Sequence, residues 1–303
     1  MVASSRFTLQ WKAGASDSGK LLREFLKEKE ISSTALTDIK FKGGSIEANG
    51  RDVTVRYCLS EGDLVSVAFP PEEPSEGIRA EGIPLVIVYE DDYLIVLNKP
   101  AAMSTIPSRE HPSGSLANGL VGYYEKIGLR ATAHIVTRLD RDTSGLVLVA
   151  KHRHVHHLLS KQQKSCEVKR EYEAFAEGEF KEQSGTIEQP IGRKSDSIIE
   201  REVRPDGQYA CTRYQVMGEC GRLFSRVRLR LETGRTHQIR VHLAYIGHPL
   251  LGDDLYGGDV ALIRRQALHC RWISFYHPFL LKEMSFEAPL PGDMAALLKE
   301  HCF

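Results

Sequence analysis

One stretch constrains this chain more than any other: Pro70-Pro-Glu-Glu-Pro-Ser-Glu-Gly-Ile-Arg-Ala-Glu-Gly-Ile-Pro84. It is rich in Pro, Gly and Glu and has no apolar periodicity, which is how an interdomain linker reads. The 303 residues are too many for one ordinary domain and too few for three, so two unequal units are expected. The boundaries that follow are a small N-terminal domain over 1–72, a linker over 73–83 and a larger domain over 84–303. In the first unit Leu21, Leu22, Phe25 and Leu26 recur at helical spacing, with Ser18 placed to cap the helix. Ser45 to Gly50 ends in an Asn-Gly hairpin turn, and Leu64 to Phe69 continues the strand pattern.

In the second unit the apolar runs Pro84-Leu-Val-Ile-Val-Tyr89 and Leu146-Val-Leu-Val-Ala150 are strand-sized and too short to span a bilayer. Two strands flank the turn Glu90-Asp-Asp92, and His152 to Lys164 reads as a helix. From Leu223 to Leu231 apolar residues alternate with Arg226, Arg228 and Arg230. Dispersed helices among strands without regular βαβ alternation give an α+β class, with a mixed, mostly antiparallel sheet and flanking helices. The start of the chain lacks a signal-peptide core, so a cytoplasmic protein is expected, with no membrane partner and as a monomer. Six cysteines show no Cys-x-x-Cys pair or regular spacing, and all six read as reduced thiols.

Lys plus Arg and Asp plus Glu each number 40, so only local charge can point to an anionic partner. From 201 to 240 nine arginines face four acids, and from 151 to 170 six Lys or Arg face Glu167 alone. Between apolar runs stands the polar loop Arg138-Leu-Asp-Arg-Asp-Thr-Ser-Gly145. It would present Asp140 from rigid supports, with the flanking arginines able to keep it ionised. A plain Asx turn is the simpler reading. A second constellation, Glu232-Thr-Gly-Arg-Thr-His-Gln-Ile-Arg-Val-His242, turns at its Gly into a helix. One turn apart, His237 and Arg240 project to the same side, where a solvated face is the simpler reading.

These two motifs, together with Lys169-Arg-Glu-Tyr-Glu-Ala-Phe-Ala-Glu-Gly178, Gly247-His-Pro-Leu-Leu-Gly-Asp-Asp-Leu-Tyr256, Leu268-His269 and His277-Pro278, resemble in order the RluA-type pseudouridine synthases. The match covers roughly 84–290. The resemblance implies catalytic roles for Asp140, for the base-stacking Tyr172 and for Arg240 as the basic partner of the aspartate. It implies RNA contacts at Arg138, which can enter an RNA stem, and at Arg235 and His237. Asn98-Lys-Pro100 resembles an early core motif of the family, with a structural and a substrate role both open. Two departures stand out. The family usually has His where Thr137 stands, and Pro-Gly or Ala-Gly where Ala101-Ala102 follows the Asn-Lys-Pro motif. Residues 1–72 are similar to the alpha-L RNA-binding domain of one small-subunit ribosomal protein, although Ser32-Ser-Thr-Ala35 lacks that module's usual arginine.

The implied reaction needs no cofactor or metal. It breaks a glycosidic bond of uridine, rotates the base and rejoins it through carbon five. An ionised Asp140 could attack the anomeric carbon, add to carbon six, or remove the 2′ proton. The target nucleotide must leave its stack, which calls for a platform such as Tyr172 and an inserted side chain such as Arg138. The histidine run His152 to His157 invites a metal reading, but no acid neighbours it in sequence and phosphate contact suits this basic helix better. Ribosomal RNA of the large subunit is the expected partner. Transfer RNA, and a non-catalytic RNA-binding assembly factor, are the rivals.

Overall fold

The computed structural model describes residues 6–72 and 77–302. The N-terminal part comprises β1 (Thr8–Lys12), α1 (Leu22–Glu28), α2 (Ser33–Phe41), β2 (Ser45–Ala48), β3 (Arg51–Asp52) and β4 (Leu64–Ala68). Its strands form one antiparallel sheet in the order β1-β4-β2-β3, closed over Leu22, Phe25, Leu26, Ile39, Val65 and Val67. The expected Asn-Gly turn joins β2 to β3, with Asn49 and Gly50 both at positive φ. Ser18 does not cap α1. That helix starts at Leu22, and Leu21 before it bridges to Cys58.

Next come β5 (Ile87–Glu90), β6 (Leu94–Lys99), α3 (Leu116–Ile127), β7 (His134–Ile135), β8 (Ser144–Ala150) and α4 (Arg153–Lys164). They are followed by β9 (Lys169–Glu177), β10 (Ser184–Glu188), β11 (Ile191–Arg193), β12 (Arg201–Val203), β13 (Cys211–Cys220) and β14 (Phe224–Leu231). The chain closes with α5 (Gln238–Tyr245), β15 (Leu268–His277), β16 (Lys282–Glu287) and α6 (Gly292–His301). One large sheet runs β10-β13-β14-β9-β15-β8-β6-β5, with β7 and β16 paired at its sides. Only the β15–β8 pairing is parallel among these ladders, so the sheet is mixed and mostly antiparallel, as the α+β reading expected. β8 is buried at every position, which explains its uninterrupted apolar run: covered on both faces, it cannot alternate.

The alternation in β14 is real, but its arginine face is not free. Opposite β9, Leu229 stands beside Tyr172, while Arg226, Arg228 and Arg230 lie on the other face. There Arg226 meets Glu173 at 2.6 Å, Arg228 meets Glu171 at 3.8 Å, and Arg230 also pairs with Glu171. Leu223 lies outside the strand and is exposed. The thiol expectation also needs correcting: Cys220 and Cys302 are bonded, with Cα atoms 4.6 Å apart. Sequence spacing could not show this, because 82 residues separate two positions that meet only when α6 packs on Phe175 and Phe224.

The segment expected as linker is partly outside the described residues, at 73–76. Beyond them it runs against α3: Glu81 N bonds to Asn118 O, and a side chain at Gly119 would meet Ile83 and Leu85. The basic helix α4 carries the N-terminal sheet. His152 stacks on Phe7 at 4.0 Å, His154 stacks on Phe69 at 5.2 Å, Arg153 pairs with Asp38 and Lys161 with Glu30. Two of the charges expected to grip phosphate are therefore engaged within the protein. Among the described residues no three His, Cys, Asp or Glu side chains gather to hold a metal ion, and no helix is long and apolar enough to cross a membrane.

Candidate active site

The loop between β7 and β8 has a partner for every carbonyl from Leu139 to Asp142. Thr105 Oγ1 donates to Leu139 O at 2.6 Å and accepts from Leu139 N. Thr143 N donates to Asp140 O. Lys99 Nζ and Met103 N both donate to Arg141 O at 3.1 Å, and Arg265 Nη1 donates to Asp142 O. Satisfied backbone on all sides leaves this loop one geometry. Thr137, which stands where the resembled family has His, accepts from Leu148 N at 2.9 Å and so ties the loop to β8. At the end of the loop, Gly145 packs its α-carbon on the backbone of Cys270 in β15, with no room for a side chain.

Lys99 decides between the two roles left open for the Asn-Lys-Pro motif. It is fully buried, and Nζ also donates to Pro100 O and Met103 O at 2.8 Å. Its work is to hold the loop. Burial pulls its pKa down to about 7, with Asp142 and Asp140 acting in the opposite direction.

Asp140 rises from this loop into a cleft of about 620 Å³ whose walls include Arg138, Tyr172, Arg235, His237 and Arg240. All six residues singled out from sequence thus share one cavity. The flanking arginines are not the partners of the carboxylate: Arg141 turns to Asp142, and Arg138 stands exposed at the edge. The groups that face the carboxylate come from α5 and the residue just before it. Arg240 Nη1 lies 3.4 Å and His237 Nε2 3.9 Å from Oδ2 of Asp140, while Oδ1 has no partner among the described residues. Tyr172 is buried in the floor, and Arg170 Nη1 donates to its hydroxyl at 3.0 Å.

Sequence reasoning missed two residues that orient these two side chains. Asp253, itself buried, accepts from Nε and Nη2 of Arg240 at 2.7 Å each. Such a two-point carboxylate contact fixes the guanidinium plane. Burial disfavours the charge on Arg240, but Asp253 and then Asp140 outweigh it and hold its pKa above the usual value. Tyr256 lies under the guanidinium, 4.9 Å from ring centre to Cζ, and its hydroxyl meets His237 Nδ1 at 2.8 Å while accepting from Arg201 N at 3.0 Å.

Burial lowers the His237 pKa against the pull of Asp140, which favours the neutral ring. With a carboxylate facing Nε2, the proton belongs there, and Nδ1 accepts from Tyr256. His237 also takes a left-handed backbone, φ 57°, at the entry to α5, a conformation that costs free energy and recurs at functional sites. The only sequence signal for Asp253 and Tyr256 was their place in the stretch Gly247 to Tyr256.

A mixed sheet that brings a fixed carboxylate, a buried arginine and a neutral histidine into one cleft with unpaired arginines at its edge defines an enzyme that acts on a large anionic substrate. The particular kind is given by comparison. A family model described as RNA pseudouridylate synthase matches residues 93–245, and the chain belongs to this family of isomerases acting on RNA. It is 55% identical over 278 residues, 92% of this chain and 98% of the relative, to the uncharacterized RNA pseudouridine synthase YjbO of Bacillus subtilis. It is 42% identical over 269 residues, 84% of this chain and 82% of the relative, to ribosomal large subunit pseudouridine synthase D of Vibrio parahaemolyticus. The fold is shared with human RNA pseudouridylate synthase domain containing 1, with TM-score 0.59 and 24% identity over 72% of this chain and 89% of that one.

Proposed function

We propose that the enzyme isomerises uridines of large-subunit ribosomal RNA in the cytoplasm, with Asp140 as the reacting carboxylate. The observation that carries the catalytic part is the asymmetry of its two oxygens: Oδ2 faces Arg240 and His237, and Oδ1 is left to the substrate. Arg240 pairs with the carboxylate and orients it in the cleft. The target nucleotide is flipped from its stack into the cleft, its base lies on Tyr172, and Arg138 at the edge fills the gap left in the RNA. The ionised oxygen then serves as nucleophile or base. The bond from the anomeric carbon to N1 breaks, the base turns, a bond to carbon five forms, and the proton lost from carbon five balances the one gained at N1.

The ribosomal assignment draws on the relative from Vibrio, which is named for the large ribosomal subunit. N-terminal residues 1–72 serve as an RNA-binding domain in this reading. The test is to map pseudouridines in ribosomal and transfer RNA from a gene-deletion strain carrying either the parent enzyme or Asp140→Asn. Loss of a large-subunit pseudouridine, restored by the parent and not by Asp140→Asn, is expected. Loss confined to transfer RNA would refute the substrate, and restoration by Asp140→Asn would refute the role of the carboxylate.

A further inference from the structure

Two groups of arginines in the large domain differ in what they face. On the sheet face away from the cleft, Arg213, Arg226, Arg228, Arg230 and Arg271 each pair with glutamate, drawn from Glu171, Glu173, Glu232 and Glu287. That face is close to neutral. Arg138 and Arg235 in the wall of the Asp140 cleft, and Arg193 and Arg201 beside it, meet no carboxylate among the described residues.

Three of the unpaired arginines line a second cavity of about 310 Å³, between the β11–β12 hairpin and the turn before α5. It shares Gly234, Arg235 and Thr236 with the Asp140 cleft. Two of its guanidinium groups are already placed by backbone carbonyls. Arg201 Nη1 donates to Ile199 O at 3.0 Å and Glu200 O at 2.9 Å, and Arg235 Nε donates to Tyr209 O at 2.9 Å. Arg193 reaches in from β11. The single acid in the lining, Asp206, is held by Nε and Nη2 of Arg204 at 2.5 and 2.9 Å, so it does not neutralise the other three. Like charges held together repel, and an anion entering between them removes that repulsion.

We propose that this hairpin cavity binds a backbone phosphate of the RNA strand beside the nucleotide held at Asp140. The proposal rests on the target nucleotide occupying the Asp140 cleft. The shared wall Gly234–Thr236 offers such a strand a path out of the cleft, and on that path the neighbouring phosphate meets Arg193, Arg201 and Arg235. The hairpin is also tied to the reaction centre, because Arg201 N donates to the Tyr256 hydroxyl that contacts His237. A strand seated in the cavity therefore bears on the groups that orient Asp140.

The test measures binding of a fluorescent oligouridylate to the parent, Arg193→Gln, Arg201→Gln and Arg226→Gln over a range of potassium chloride. Each phosphate contact contributes about 0.7 to the slope of log affinity against log salt for single strands. The slope should become shallower by about that amount in Arg193→Gln and in Arg201→Gln, and it should match the parent in Arg226→Gln. Since Arg201 also braces the hairpin turn, Arg193→Gln is the decisive variant, with its melting temperature measured alongside. A parent slope in Arg193→Gln, an equal drop in Arg226→Gln, or no binding by the parent would overturn the proposal. The oligouridylate carries no target sequence, so a wrong ribosomal assignment leaves this readout unaffected.

Discussion

Arg240 spends two of its donors on Asp253 and has a third for Asp140. Its position is therefore set by Asp253, which makes no hydrogen bond to Asp140 among the described residues. Asp253→Asn removes a charge from a buried pair, and breaking such a pair costs about 3 kcal/mol. With the guanidinium loosened, the single-turnover rate at saturating enzyme should fall by roughly 100-fold, while RNA affinity changes little because the edge arginines are untouched. Urea unfolding and rapid-quench kinetics read the two effects separately. A variant with the parent rate would show that Arg240 keeps its place without Asp253. From sequence, Arg240 and Asp140 could be named by resemblance, but Asp253 and Asp254 are indistinguishable as letters. Only one of them is buried against the arginine.

The element that braces this site is the stretch from β6 through the loop after it, where Lys99 grips the loop that presents Asp140 and Ala102 turns the chain. Ala102 has φ 60°, in the left-handed region where a β-carbon is penalised by about 1–2 kcal/mol. At the departure from the Gly usual in the resembled family, an alanine thus holds the left-handed conformation that glycine adopts without strain. Ala102→Gly should raise unfolding free energy by about 0.5–1 kcal/mol, since relief of strain exceeds the added freedom of the unfolded chain. Chemical denaturation checks this, and a loss of stability would mean that the alanine methyl packs favourably enough to repay its strain. β14 teaches a related lesson. Its two-residue period could be read directly, whereas the glutamates of β9 that neutralise its arginines are a property of strand pairing.

At the scale of the molecule, the N-terminal sheet is docked on α4 through histidines. His152 and His154 have pKa values lowered to about 4, in both cases chiefly by burial. They are neutral when folded, whereas in the unfolded chain they titrate near their ordinary value. Between about pH 6.5 and 4 the unfolded chain therefore binds more protons, so stability is intact above that window and is lost as pH falls through it. Each histidine can contribute up to about 1.4 kcal/mol per pH unit there. Unfolding free energies measured from pH 7 to 4 should show this decline, and a His152→Phe, His154→Leu double variant should show a shallower one. Equal slopes would mean that other groups, such as the buried His269 with its pKa also near 4, carry the acid sensitivity.

The sequence by itself determined several of the strands, the helices α1, α4 and α5, the family and the six residues that meet in the cleft, because these depend on local periodicity, turn chemistry and ordered motifs. Tertiary structure decided which charges are free. Arg226 and Arg193 look alike as letters, yet one faces Glu173 across a strand pair and the other faces an open cavity. The same holds for Cys220 with Cys302, for α4 with the N-terminal sheet, and for Asp253 with Arg240. Each depends on which side chains packing brings within a few ångströms, and charge pairing and bonding act at that range regardless of distance along the chain.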